Sequence, residues 1–133
     1  MKLILCSLLS LTLAVNLFSE GSPGPPTAAT AFLKNPQVGK LTFKGAGNLF
    51  AGHYGLLLVG EQGGAIVAID TGDRGIFKPM KAGAVVADLG AKVAGALGAK
   101  PGGVKINDLA VNPETGTIYL SARRSDNVTA ILT

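Results

Sequence analysis

The segment Leu109–Ser121 reads LAVNPETGTIYLS and carries the clearest structural signal in the chain. An apolar run leads into Asn112, and a second run with alternating apolar and polar residues begins at Ile118. Between the two runs, Pro113 presets φ for a turn, and Gly116 tolerates the positive φ with which such a turn ends. The segment therefore predicts two antiparallel strands joined by a tight turn.

An internal repeat extends this pattern. Residues 55–71 read GLLLVGEQGGAIVAIDT and align with residues 116–133, which read GTIYLSARRSDNVTAILT. Gly116 stands 61 residues after Gly55, and Ile131 stands 62 after Ile69, so one residue is inserted in the turn of the second copy. A lone hairpin cannot bury its apolar side, whereas stacked repeats can. The chain is therefore expected to contain packed repeats.

Short apolar runs bounded by glycine-bearing turns occur from residue 41 onward, and each has the length of a strand. The exception is residues 89–97, where Leu89, Val93 and Leu97 recur at steps of four and predict one short helix. The 19 glycines and a charged fraction of only 15% are typical of strands joined by tight turns. The predicted fold is all-β with one inserted helix, with strands at residues 41–43, 56–59, 65–69, 85–87, 106–111, 118–120 and 128–132.

The repeat at residues 109–131 resembles that of β-propellers of the YVTN and NHL type, in which an inner strand enters an Asn-Pro turn. The copy at residues 56–71 is similar to the second and third strands of the same unit, and Leu41–Phe43 is the candidate for its inner strand. The resemblance implies a partial propeller of about two antiparallel blades, in a truncated chain or an oligomer, because closed propellers have about four blades or more.

The N-terminus predicts export. Lys2 precedes an apolar stretch from Leu3 to Phe18, and small residues follow where a signal peptidase could cut. Residues 1–19 are predicted to be a signal peptide, residues 20–38 a linker rich in proline, and residues 39–133 the repeat domain. The expected location is the periplasm, the cell surface or the medium, and the only membrane involvement expected is export itself.

Composition argues against several function classes. The net charge of +4 comes from 12 basic and 8 acidic residues that are scattered along the chain, which argues against a nucleic-acid partner. Cys6 is the only cysteine and lies in the predicted signal peptide, and His53 is the only histidine. One chain therefore supplies neither a zinc triad nor a Ser-His-Asp relay. No catalytic residue, metal or cofactor is predicted.

Three functions remain open. The first is a binding or scaffold module for an unknown protein or small molecule, with Asn107 and Asp108 as ligand-binding candidates, because the loops that enter inner strands surround the central channel of propellers. The second is an aspartic-type hydrolase that uses Asp70-Thr71-Gly72 as a dimer. The third is a structural surface repeat. The open edge of the last strand also predicts self-association.

Overall fold

Two three-stranded antiparallel sheets form the framework of the computed structural model, which describes residues 29–133. In each sheet the strands follow the order of the sequence. Helix α1 (Leu89–Ala96) lies between the sheets in sequence, and 3-10 turns occur at Ala29–Phe32 and His53–Gly55. The first sheet comprises β1 (Ala46–Ala51), β2 (Leu56–Glu61) and β3 (Ile66–Asp70), and the second comprises β4 (Val104–Val111), β5 (Ile118–Arg124) and β6 (Thr129–Leu132).

The helix and the two repeated hairpins are confirmed, including the turn at residues 112–117. In that turn, Gly116 has a φ of 76°, and a Cβ at this position would lie 2.8 Å from the carbonyl oxygen of Lys78. The predicted signal peptide, residues 1–19, lies outside the described residues, as does the start of the predicted linker. Within residues 29–133, no helix has the length and apolar character needed to span a bilayer.

Two of the predicted strands are wrong. Residues 41–43 and 85–87 form no strand, and Val85 is 86% exposed because no neighbouring strand covers it. The first strand of the first sheet is β1 instead, at Ala46–Ala51. Its pairing with β2 shifts between Ala46 and Leu49, which marks a bulge. An extra residue interrupts the alternation of apolar and polar positions by which a strand is recognised.

The main core lies between the two sheets. Leu57, Val59 and Leu49 of the first sheet are buried against Tyr119 and Ile131 of the second. Each fully buried side chain of this size contributes about 1.5–3 kcal/mol through the removal of apolar surface from water. This apolar contact holds the two repeats together.

Helix α1 covers the other side of the second sheet. Val93 of the helix is fully buried with Leu120, Ala122 and Leu132. The guanidinium of Arg124 donates to the carbonyl oxygen of Leu97 at 2.9 Å, which fixes the end of the helix on β5. The second sheet is therefore covered on both faces.

Each sheet uses one face for the contact with the other sheet. Val59 of the first sheet lies in this contact with Tyr119 of the second, whereas Leu120, the next residue of β5, faces α1. Among the described residues, nothing covers the opposite side of the first sheet completely, since Phe50 is 63% exposed and Ile66 is 73% exposed. The stack is thus covered by a helix at one end and presents an apolar sheet face at the other.

Truncation of Leu57 tests this assignment of faces. Leu57 is 1% exposed, so Leu57→Ala should lower the free energy of unfolding by about 2–5 kcal/mol through lost burial and a cavity. Leu58→Ala makes the same change one residue further on, on the open face, and should cost clearly less. Urea unfolding followed by circular dichroism measures both values. Equal losses would contradict the assignment.

Candidate ligand-binding groove

The first strand of each sheet, β1 or β4, carries a bulge. In β1 the pairing passes from Ala46↔Glu61 to Leu49↔Val59, and in β4 it passes from Ile106↔Ala122 to Asp108↔Ser121. In each case the first strand has one residue more between these pairs than the strand with which it pairs. A bulge disrupts the ladder locally and leaves backbone groups in need of other partners.

Three side chains of the second sheet bond to the backbone of the β1 bulge. The Asn107 amide donates to the carbonyl oxygen of Ala46 at 2.9 Å. The Ser121 hydroxyl donates to the carbonyl oxygen of Gly47 at 2.7 Å, and the Asp108 carboxylate accepts from the Leu49 amide at 2.8 Å. We call Asn107, Asp108 and Ser121 the inter-sheet clamp. It adds directional contacts to an otherwise apolar interface.

The two residues predicted to bind ligand belong to this clamp. The sequence suggested that they precede the inner strand, but β4 begins at Val104, and both lie inside it at the bulge. The second carboxylate oxygen of Asp108 accepts from the Leu109 amide at 2.8 Å, so both oxygens of Asp108 are bonded. Asn107 also lines a groove between the sheets. Of the two residues, Asn107 is therefore placed to meet a ligand.

Removal of one clamp hydroxyl should destabilise the fold. Ser121 is fully buried, and Ser121→Ala leaves the carbonyl oxygen of Gly47 without this donor, at an expected cost of about 1–3 kcal/mol. Ser125→Ala removes an exposed hydroxyl and should change the free energy of unfolding by less than about 0.5 kcal/mol. Guanidinium chloride unfolding compares the two variants, and a smaller effect for Ser121→Ala would refute the role of the clamp.

The groove opens at the end of the sheets where β1 and β4 begin. It has a volume of about 290 Å³. The Ser125 amide donates to the carbonyl oxygen of Gly103 at 3.0 Å, which ties the β5–β6 turn to the loop before β4 and forms one wall. The groove is lined by Gln62, Gly102, Gly103, Val104, Lys105, Asn107, Arg123 and Ser125.

Strand register brings the two basic residues of the groove together. Lys105 and Arg123 are direct partners in the β4–β5 ladder, so their side chains leave the same face of the sheet. Arg123 donates from Nη1 to Oε1 of Gln62 at 3.2 Å, which connects β5 to the β2–β3 turn of the first sheet. Groups from both repeats therefore form the groove.

The described lining residues include no carboxylate. Acidic residues stand next to three of them in sequence, but each is bonded elsewhere. Glu61 accepts from the Lys44 amide at 3.0 Å, Asp108 accepts from β1, and Asp126 forms an ion pair with Arg124. The groove consequently carries an excess of positive charge.

A second polar cluster lies at the opposite end of the sheets. One carboxylate oxygen of Asp73 accepts from Asn112 at 2.7 Å, from the Thr115 hydroxyl at 2.8 Å and from the Tyr119 hydroxyl at 2.8 Å. We call Asp73, Asn112, Thr115 and Tyr119 the Asp73 network. It joins the segment after β3 to the β4–β5 turn.

Hydrogen bonding changes the acidity of this network. Burial raises the pKa of Asp73, but the hydrogen bonds from Thr115, Tyr119 and Asn112 oppose it, and the pKa lies below its ordinary value of 3.8. Burial raises the pKa of Tyr119 to about 12, and the neighbouring Asp73 carboxylate adds to this rise. Near neutral pH the pair is therefore an ionised carboxylate and a neutral phenol that donates to it.

The lowered pKa of Asp73 predicts a loss of stability in acid. A carboxylate with a depressed folded-state pKa stabilises the fold above about pH 4, and this contribution disappears as the pH falls through the folded-state value. Asp73→Asn should therefore lower the urea midpoint at pH 7 and flatten its decline between pH 4 and pH 2. In the control Asp88→Asn, the left-handed backbone at residue 88 suits asparagine, so the midpoint should hardly move. Parallel curves for Asp73→Asn and the wild type would argue against the network.

Asp70 of the Asp-Thr-Gly motif is engaged in local contacts. Nη2 of Arg74 lies 2.5 Å and 2.6 Å from the two carboxylate oxygens of Asp70. The Gly72 amide donates to Asp70 at 2.9 Å, and the Thr71 hydroxyl donates to the carbonyl oxygen of Gly55 at 2.8 Å. These contacts give the motif a structural function as the turn at the end of β3. In the described part of the chain, no group of three or more histidine, cysteine or acidic side chains is arranged to hold a metal ion.

Sequence reasoning missed the groove and the Asp73 network. Lys105 and Arg123 are separated by a hairpin, and only the strand register, shifted by the bulge, places them opposite each other. Asp73 directly follows the Asp-Thr-Gly motif in the sequence. Two of its partners, Asn112 and Thr115, belong to the Asn-Pro turn, and Tyr119 belongs to β5, so the polar content of that turn was the available signal.

Comparison of the chain with protein-family models, with curated proteins and with solved structures finds no match. The propeller resemblance of the repeats remains a prediction from sequence. The geometry of the described residues is therefore the basis for the functional argument.

Proposed function

We propose that this protein is an exported β-propeller-type binding module that holds a small ligand in the groove between its two sheets. The observation that carries the proposal is the contrast between the polar groups at the two ends of the strands, where the Asp73 network and the groove lie. In the Asp73 network, donors and acceptor bond one another. In the groove, charged and polar side chains face an open volume, and the described lining residues include no carboxylate to balance Lys105 and Arg123.

The position of the groove supports this function. Binding sites are commonly concave and are formed where two structural units meet. The groove is bounded by Gln62 from the first repeat and by β4 and the β5–β6 turn from the second. The inter-sheet clamp lies directly beside it, through Asn107, and fixes the two walls relative to each other. A ligand would therefore meet a preformed site.

The two alternatives are less well supported. A hydrolase that acts through Asp70-Thr71-Gly72 as a dimer needs a carboxylate that faces a substrate, whereas Asp70 is paired with Arg74. A purely structural surface repeat gives no reason for placing two like charges opposite each other in a groove. Asp70→Asn separates the hydrolase from the other two functions, because only the hydrolase would lose a peptidase activity.

Export and self-association form part of the same proposal. Export is supported by Lys2 and the apolar stretch that follows it. Self-association is supported by β6, which pairs on one side only, with β5, and by the open apolar face that contains Phe50 and Ile66. Edge strands and apolar patches of this kind are common contact surfaces.

Ligand-induced changes in NMR amide shifts test the binding function. The full panel comprises anionic, neutral and cationic metabolites and short oligosaccharides, each added to the 15N-labelled chain. At least one member should move the amide resonances of residues 102–105 and 123–125 and leave those of residues 71–73 and 112–117 in place. Shifts confined to the Asp73 network, or no shift with any member, would overturn the proposal.

A further inference from the structure

We infer that the ligand of the groove carries a phosphate or carboxylate group that binds between Lys105 and Arg123. This inference rests on the proposed binding function and adds the chemical class of the ligand. Lys105 and Arg123 are direct partners on neighbouring antiparallel strands. Side chains in such positions start about 4.5–5.5 Å apart at Cβ, so both cationic groups can reach one oxyanion.

Like charges directly opposite each other weaken an antiparallel pair. In this part of the sheet no described carboxylate relieves the repulsion, since the ion pairs among residues 29–133 are His53–Glu114, Arg74–Asp70 and Arg124–Asp126. An anion bound between Lys105 and Arg123 would remove this repulsion. The two facing cations therefore form an unfavourable interaction that a ligand of negative charge would turn into a favourable one.

The geometry around Arg123 suits an oxyanion in particular. The Gln62 side chain accepts one hydrogen bond from Nη1 of Arg123, which restrains the guanidinium and leaves its other N–H groups available. A restrained guanidinium presents parallel donors that match two oxygens of a carboxylate or phosphate. Lys105 adds a point charge, and the hydroxyl of Ser125 lies in the same lining.

The size of the groove limits the ligand. A volume of about 290 Å³ lies at the lower end of the range for small-molecule sites, which is about 300–1,000 Å³. A sugar phosphate or a small polycarboxylate is of this scale. Lys105 and Arg123 are the basic residues among the described lining of the groove, whereas a polyanion would require a longer basic stripe.

Calorimetric titration with inorganic phosphate, glucose 6-phosphate, citrate and glucose tests the inference. Glucose 6-phosphate or citrate should bind and glucose should not, and the comparison with inorganic phosphate shows whether the organic part contributes. Lys105→Gln and Arg123→Gln should each weaken binding by about 10-fold or more, because hydrogen bonds to charged groups are among the stronger ones. Lys92→Gln, an exposed position on α1, removes the same charge elsewhere and should leave the affinity unchanged.

Thermal unfolding supplies a second readout, in which the ligand-induced shift of the melting temperature reports on binding. Without ligand and at low salt, Lys105→Gln should raise the melting temperature, because it removes the repulsion from Arg123, and Lys92→Gln should not. Glucose 6-phosphate should raise the melting temperature of the wild type and of Lys92→Gln, but not that of Lys105→Gln.

The possible contrary results separate this inference from the binding function. Glucose that binds as tightly as glucose 6-phosphate, with shifts at residues 102–105, would overturn the oxyanion inference and leave the binding module intact. Anion binding that persists in both Lys105→Gln and Arg123→Gln would also overturn it. Binding of heparin without binding of any small anion would refute the limit on size. If no compound of the wider NMR panel binds, both proposals are overturned.

Discussion

The arrangement of the two sheets depends on the hydrogen bonds by which Asn107, Asp108 and Ser121 satisfy the backbone of the β1 bulge. Apolar contact between the sheets is stabilising but has no direction, so it would permit the sheets to slide or rotate. Hydrogen bonds to specific backbone groups have preferred lengths and angles. The bulge thus creates the unpaired groups, β4 and β5 of the second sheet supply their partners, and the relative position of the sheets is fixed.

That fixed position determines what lies at the two ends of the stack. Each sheet has one face in the contact between the sheets and one face directed away from it, and the outer faces of repeat proteins commonly need caps. Helix α1 acts as such a cap on the second sheet, with Val93 buried against β5 and β6. The first sheet has no corresponding cover over Phe50 and Ile66 within the described chain. This asymmetry accounts for an apolar surface on a protein with an otherwise complete core.

The sequence predicted those features that depend on neighbours along the chain. The Asn-Pro turn, the two hairpins and the helix each follow from a local pattern, and each is present. The strand β1 could not be recognised, because its bulge breaks the period-two pattern around Ala46 and Leu49. Asn107 and Asp108, which the sequence predicted to bind a ligand, bond to β1, and these bonds depend on how two separate sheets pack. No local pattern encodes such contacts.

The need of charged groups for compensating partners explains why the Asp73 network, at one end of the strands, is inert and why the groove, at the other end, is the candidate site. A carboxylate withdrawn from water needs compensating donors, and Asp73 receives them from Asn112, Thr115 and Tyr119, so that cluster has nothing left to offer a ligand. Lys105 and Arg123 lie opposite each other at an open groove whose described lining contains no carboxylate. Like charges in such positions have an energetic cost that folding alone does not require. A bound anion removes that cost, and this makes the groove the part of the molecule in which a function is to be sought.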